Sequence, residues 1–524
     1  MNHMLAHLGM GLRKGWHIKL ISAVILIIPA NCHAMQDSVL EELGRMIGGA
    51  FGGATAEHPV IQQMEVVEGD AGPVEIPEKD RAEFKDRITG YSHAMCAWVI
   101  QTCAIPEMEQ PRFREVFERQ VQSRMEAFER GAGRNAQRDV HQVEPFSKTT
   151  PLLFTRSSAD GAEFRNAVLE SLRKELLSNE QKQKLEDALK ERETFRLHAI
   201  AEFLTSIADR ELFLTEQQRT EMVRKMVTAK KPVQHTFYAF QPQSYYLPYE
   251  PLSQLFSRIS AKDVLSPSQK KRLTDLSGSD PNNHLVFQAA DGPDAWLSQM
   301  AAMSESQRSL FLRGMAVRIA WLEHELKLSA EQIEYLTVAG KGAAIRAIGD
   351  WKEQTRQTLD QMEQQMAQMG GNFGFGASTL DSSSIDQNEI WIEGLREVAE
   401  GRGWDLLKER DKKLNESVAA CLVALFDDEL WLTAEQRKSL QPVFANSLPK
   451  SSDPVQYYDY IRELIWLAYP LFKSDDAARS AVLSDEQNAV WQTLKSIYSF
   501  QKENNYVQIQ LRNQGGSFGF MLSD

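Results

Sequence analysis

A short pattern that opens helices returns along this chain, and it restricts the fold more than any other feature does. The pattern is a Leu, then Ser or Thr, two residues, Gln, and an apolar residue four beyond the Gln. It stands as Leu177-Ser-Asn-Glu-Gln181 with Leu185, Leu214-Thr-Glu-Gln-Gln218 with Met222, and Leu265-Ser-Pro-Ser-Gln269 with Leu273. It returns as Leu328-Ser-Ala-Glu-Gln332 with Leu336, Leu432-Thr-Ala-Glu-Gln436 with Leu440, and Leu483-Ser-Asp-Glu-Gln487 with Trp491. Met303-Ser-Glu-Ser-Gln307 is a looser copy. Ser or Thr at the N-cap accepts a hydrogen bond from the exposed N–H at N3, and Gln at N3 accepts one from the N-cap N–H. Glu beside the Gln favours the positive end of the helix dipole. Each copy is therefore read as a helix start.

Three copies share a longer lead-in. Asp209-Arg-Glu-Leu-Phe-Leu214, Glu323-His-Glu-Leu-Lys-Leu328 and Asp427-Asp-Glu-Leu-Trp-Leu432 all read acid, x, Glu, Leu, x, Leu. Seven residues before the last Leu stand Ile207, Trp321 and Leu425, and eleven before stand Phe203, Val317 and Cys421. These offsets fit the buried face of a preceding helix, so a helix ends, turns and restarts as an αα-hairpin. Trp98 to Ile105, followed by Pro106, reads as a decayed first copy, with Trp98 and Cys103 in the places of Trp321 and Leu326. Positions 105, 214, 328 and 432 are then 109, 114 and 104 apart. Within that beat, Leu214 to Leu265 and Leu432 to Leu483 are both 51 apart. Gln387-Asn-Glu-Ile-Trp391 echoes Gln487-Asn-Ala-Val-Trp491 and reads as a second motif with a degraded cap. Such a period marks a repeat architecture. The fold expected is all-α: an array of helical hairpins in about four repeat units, packed in sequence order, with little or no sheet. The units are drawn at 81–200, 201–300, 301–400 and 401–524, the last with a glycine-aromatic tail. Residues 35–80 are read as a linker, Gly131 to Thr150 as a polar break, and Gly278 to Pro293 as a loop.

The segment 1–34 has the order of a secretory signal peptide. Arg13, Lys14 and Lys19 precede the apolar run Leu20 to Ala30, and Asn31-Cys-His-Ala34 offers a cleavage site. The expected product is periplasmic or secreted. Removal of three positive charges takes the net charge from −13 to −16. A chain this acidic, without a basic stripe, does not suit nucleic acid, and no later run is long enough for a membrane span. Cys96, Cys103 and Cys421 stay behind. Cys96 and Cys103 share a helix face about 10.5 Å apart, too far for a disulfide. All three are read as buried thiols, with no zinc spacing and no cofactor motif.

One candidate interaction site stands out. Leu359, Met362, Met366 and Met369 form a heptad seam on an otherwise polar, glutamine-rich helix. Methionine adapts to varied apolar partners, so the stripe reads as a binding face or as packing within the domain. Phe237 to Tyr249 carries six aromatics between prolines, and Tyr457, Tyr458 and Tyr460 echo it. These read as stacking surfaces or as packing. Gly48–Gly52, Gly370–Phe375 and Gly515–Phe520 are alike and read as flexible low-complexity segments or as docking tags. His198, His235, His284 and His324 stand apart from one another, and no hydrolase elbow, P-loop or dinucleotide fingerprint accompanies them. The residues assign no catalytic set.

The capping motif resembles the LTxxQ signature of periplasmic Spy- and CpxP-like proteins, over about five residues per copy. That resemblance implies a helical extracytoplasmic chaperone or stress modulator that binds unfolded or partner proteins as a curved dimer. Those proteins are shorter and carry two motifs. The longer pattern, followed after Leu336 by Ala339-Gly-Lys-Gly-Ala343, is similar to a family of uncharacterised exported bacterial proteins, which implies a fold and no activity. The function expected is a non-catalytic protein-binding or scaffolding protein of the bacterial cell envelope. The alternatives are a chaperone or stress modulator of the LTxxQ kind and an enzyme of unrecognised class.

Overall fold

All six full copies of the pattern open helices in the computed structural model of the protein, which describes residues 78–135, 159–230, 233, 249–278, 285–288, 292–369, 374–377, 388–399, 402–448, 471–472, 476–503, 506–511 and 517–521. Ser178, Thr215 and Thr433 form complete capping boxes with Gln181, Gln218 and Gln436. Ser266, Ser329 and Ser484 do the same with Gln269, Gln332 and Gln487. Asn388, in the degraded copy, still accepts a bond from the Ile390 N–H at 3.1 Å.

Among the described residues fourteen α-helices form two sets of seven. The first set is α1 (Glu78–Thr102), α2 (Gln110–Asn135), α3 (Ala159–Glu175), α4 (Asn179–Leu212), α5 (Glu216–Thr228), α6 (Tyr249–Arg258) and α7 (Pro267–Gly278). The second is α8 (Gly292–Leu326), α9 (Ala330–Met369), α10 (Glu389–Ala399), α11 (Arg402–Leu430), α12 (Ala434–Ser447), α13 (Asp476–Ser480) and α14 (Asp485–Ile497). The protein is all-α in class. Two small antiparallel sheets accompany the helices: β1 (Leu285–Gln288) with β2 (Gly374–Ala377), and β3 (Tyr498–Glu503), β4 (Tyr506–Leu511) and β5 (Ser517–Met521) in that order.

The sets do not stack in sequence order. The most extensive helix contact joins α4 to α11, from different sets. Helix α1 packs on α14 and α11 of the second set, and α8 packs on α7 and α4 of the first. These contacts are reciprocal, and so are the polar ones. Arg192 of α4 holds Asp427 of α11 at 3.1 Å, and Arg410 of α11 donates to the carbonyl of Asp209 on α4. Asp209 and Asp427, Arg192 and Arg410, Thr215 and Thr433, and Gln269 and Gln487 all correspond at one constant sequence offset. The described helices therefore form two like halves about an approximate two-fold axis, with α4 and α11 crossing antiparallel at the centre. Ala199 and Ala420 meet at that crossing, where small side chains allow the helices to approach. The central turns of both helices are buried almost all round, including Ile200, Leu204 and Ile207 on α4 and Val418, Leu422 and Leu425 on α11. A helix apolar on every side belongs inside. Each motif is local, but the faces it presents are met by the other half.

The hairpin corners share one backbone device. Ala104, Phe213, Lys327 and Trp431 have φ of 51°, 49°, 56° and 54°, and each directly precedes Ile105, Leu214, Leu328 or Leu432. A left-handed residue ends a helix well, though without glycine it costs about 1 kcal/mol. In two corners the acid of the lead-in offsets that cost. Asp209 and Asp427 accept bonds at 2.6 Å from the Leu214 and Leu432 N–H groups. The equivalent Glu323 is exposed. The predicted core offsets are buried, among them Phe203, Ile207, Val317, Trp321, Cys421 and Leu425. The two glycines of Ala339–Ala343 mark close helix contacts: a Cβ on Gly340 would meet the Met315 side chain at 2.9 Å, and one on Gly342 would meet Ile390 at 3.2 Å.

Other expectations are corrected. The unit boundaries at 200/201 and 300/301 fall inside α4 and α8. The looser copy at Met303 lies mid-helix in α8, where Ser304 donates to the Ala301 carbonyl. The expected loop after Gly278 contains β1, and α2 runs through Gly131 to Asn135. Two glycine-aromatic segments contribute strands rather than loop, β2 and β5; Gly48–Gly52 lies outside the described residues.

Candidate functional site

Two of the three capping glutamines in each half reach across to each other. In the first half, Gln218 Nε2 donates to Gln269 Oε1 at 2.8 Å, and Gln269 Nε2 returns the bond to Gln218 Oε1 at 3.1 Å. Gln436 and Gln487 repeat this at 2.7 and 3.0 Å. The same amides also donate to carbonyls ahead of the partner cap, Val264 and Leu212 in one half and Val482 and Trp431 in the other. Each amide thus caps its own helix and the turn before the other. This is the physical source of the 51-residue spacing. It fixes α5 against α7 and α12 against α14. Gln332 instead donates to Val398, so the degraded motif at Asn388 does not form a clasp.

Held in this way, α5 and α12 stand as walls over the crossing of α4 and α11. Between them runs a groove of about 2160 Å³. Val223 and Val227 of α5 face it from one side; Gln441 and Ala445, their counterparts in the second half, face it from the other. Small-molecule sites occupy about 300–1,000 Å³, so this volume suits a segment of polypeptide. His198 and Glu202 of α4 and Glu416 of α11 lie on its floor, with His198 Nδ1 3.9 Å from the Glu202 carboxylate. Loss of water raises the Glu202 carboxyl above the usual range, opposed by His198 and Arg219.

The groove ends differ in charge. At the end where α4 finishes, Arg210, Arg219, Arg318, Lys408, Arg410, Lys412 and Lys413 line it, seven cations against the four acids Glu211, Glu216, Asp411 and Glu416. Behind them, buried Asp209 meets Arg219 at 2.9 Å and also Arg410. Glu211 pairs with Arg272. The left-handed Phe213 ring carries Arg410 at 4.0 Å and Arg318 at 4.9 Å. At the opposite end the lining is Asp187, Lys190 and Glu191. Behind it, Asp427 meets Arg192 and Arg437, Asp428 meets Arg196, and Arg437 also holds Glu191. There Trp431 takes the place of Phe213, under Arg192 at 4.0 Å and against Trp98 at 5.1 Å.

No family model matches the chain, and no curated protein or solved structure matches it either. The groove is therefore read from its own residues. Sequence reasoning did not select it, although a signal was present. Asp187-Ala-Leu-Lys-Glu-Arg192 and Asp405-Leu-Leu-Lys-Glu-Arg410 repeat the same form at the offset that relates the two halves, and they mark the helices that build the floor.

The predicted stripe lies elsewhere. Leu359, Met362, Met366 and Met369 occupy the last turns of α9, and their side chains fall outside the described residues. Upstream on the same helix, Val338 and Ile345 are 63% and 62% exposed, at the heptad position of Leu359 and Met366. Phe237 to Leu247 and Tyr457 to Tyr460 are outside the described residues. Cys96, Cys103 and Cys421 are free and buried. Burial pushes the Cys96 thiol up to about 12 and Cys103 to about 11, so both pack as neutral groups. Among the described residues no group of three or more His, Cys, Asp or Glu is placed to hold a metal, and no helix is long and apolar enough to cross a membrane.

Proposed function

We propose that the protein is a non-catalytic binding or scaffolding protein of the bacterial cell envelope that holds a polypeptide segment in the groove between α5 and α12. The observation that carries this reading is the groove itself: larger than a small-molecule site and framed by two rigid clasps. The signal-like segment 1–34 supports a periplasmic or secreted location, and the acidic surplus disfavours nucleic acid. The test places a photo-crosslinker at Val223 or Gln441 of the mature chain, exposes it to envelope extract, and identifies adducts by mass spectrometry. One stoichiometric partner, lost when Val223→Trp and Gln441→Trp fill the groove, is the expected result. Adducts unchanged by that filling would end the reading.

A second reading rests on α9. Its exposed Val338 and Ile345 continue toward the methionine stripe, which suits a chaperone of the LTxxQ type with an open apolar face. It predicts slower aggregation of a reduced, unfolded client, with the effect lost in Val338→Glu and Ile345→Glu. The enzyme alternative draws only on His198, Glu202 and Glu416 sharing one floor. At 3.9 Å the nearest pair is beyond hydrogen-bonding reach.

A further inference from the structure

We infer that α9 pairs antiparallel with the α9 of a second copy of this chain, along the face it turns away from its own half. The inference is independent of the groove. Helix α9 buries Leu336, Ala343, Ala347 and Trp351. The opposite face is where a surface helix ordinarily carries its charges. Here that face carries Tyr335, Val338, Gly342, Ile345 and Gly349, at intervals of 3, 4, 3 and 4. This is the spacing of a seam between two helices. Tyr335, Val338 and Ile345 are 47%, 63% and 62% exposed, three of the four large apolar side chains so exposed among the described residues.

The glycines say what this face meets. Glycine is the poorest helix former after proline, and a Cβ at Gly349 would find nothing within 4 Å. Packing within the chain therefore gives no reason for glycine there. A second helix does, because bare backbone leaves a hole that a facing side chain can fill. In an antiparallel pair with its two-fold axis between Ala343 and Ala344, Val338 stands opposite the second copy's Gly349, and Ile345 opposite its Gly342. Every large residue then meets a small one. A parallel pair instead sets glycine against glycine and leaves gaps between the apolar contacts. The antiparallel register also brings Glu334 beside the second copy's Lys352, so opposite charges meet at both ends of the contact. A face that complements its own reverse is what a two-fold contact between identical chains requires.

The test is sedimentation velocity of the mature full-length protein across a concentration series, which is expected to show a dimer. Val338→Glu with Ile345→Glu is expected to weaken association at least about tenfold, since it sets carboxylates into an apolar contact. Both side chains are exposed, so the variant keeps its helices, which circular dichroism checks. Gly349→Leu fills one hole and is expected to weaken the dimer while raising the melting temperature, because leucine is the better helix former. A merely misfolded variant would lose both. The register is read by mixing Val338→Cys protein with Gly349→Cys protein and adding a short thiol-to-thiol cross-linker. The mixture is expected to link and neither variant alone, the native cysteines being buried. A monomer at every concentration, a dimer indifferent to the glutamates, or equal linking by Val338→Cys protein alone overturns the inference. A monomer whose glutamate variant no longer holds an unfolded client gives this face to the chaperone reading instead.

Discussion

The ends of the groove are built by the same chain pattern and differ in what they hold. Both have a buried aspartate that closes a left-handed corner, two arginines upon it, and an aromatic ring beneath a guanidinium. At the Asp427 end the acids and arginines balance, and the cluster behaves as a structural joint. At the Asp209 end the arginines outnumber the acids. The repeat accounts for what is common to both ends and not for the difference in their ion pairs.

The largest effect expected of any single change follows from that imbalance. Asp209→Ala leaves Arg219 and Arg410 buried around a lost carboxylate and should cost about 4 kcal/mol, as broken buried pairs do. Asp427→Ala should cost less, about 3 kcal/mol, because Glu191 still holds Arg437. Urea denaturation of both variants decides it. Equal costs, or the reverse order, would break the contrast between the ends.

A smaller effect tests what the halves share. Gln269→Leu and Gln487→Leu each strand a partner amide, an N-cap N–H and a turn carbonyl, for about 2 kcal/mol. The two losses should agree, because the clasps have the same geometry. If one variant is neutral in the same denaturation experiment, the halves are not equivalent in their joints.

The smallest effect concerns one half. Arg479, and after it Lys495, hold the Asp476 carboxyl below its usual range. A depressed carboxylate contributes stability that is present above its unfolded pKa and is lost as pH falls through the folded value. Asp476 is partly exposed, so the gain is below about 1 kcal/mol. Asp476→Asn should lower the melting temperature slightly at neutral pH, and the difference should shrink as the solution is acidified through the carboxylate range. A loss of equal size across that range would assign the residue a packing role instead.

The helix starts were legible because a capping box is a local device, complete within four residues. The buried positions before each corner were legible for the same reason, since helical periodicity reports which face turns inward. The interval between paired caps was visible too, but its cause was not: an amide pair between Gln218 and Gln269 is a tertiary contact, and nothing near either residue announces it. Order of packing failed differently. The apolar faces of α1 and α8 are alike, and each is covered by the opposite half, a choice that local patterning does not encode. The groove went unread because its charges come from α4, α5, α8 and α11 together, where Arg210 looks like one more surface cation.

The seating of α1 against α14 has a consequence for how the chain is made. The first described helix to leave the ribosome has as its neighbour the last described one, synthesised only after every other described helix. Buried Tyr91 and Trp98 lack a ring they pack against until Trp431 has been added, and Val490 of α14 reaches Gly90 later still. Neither half covers its own core alone.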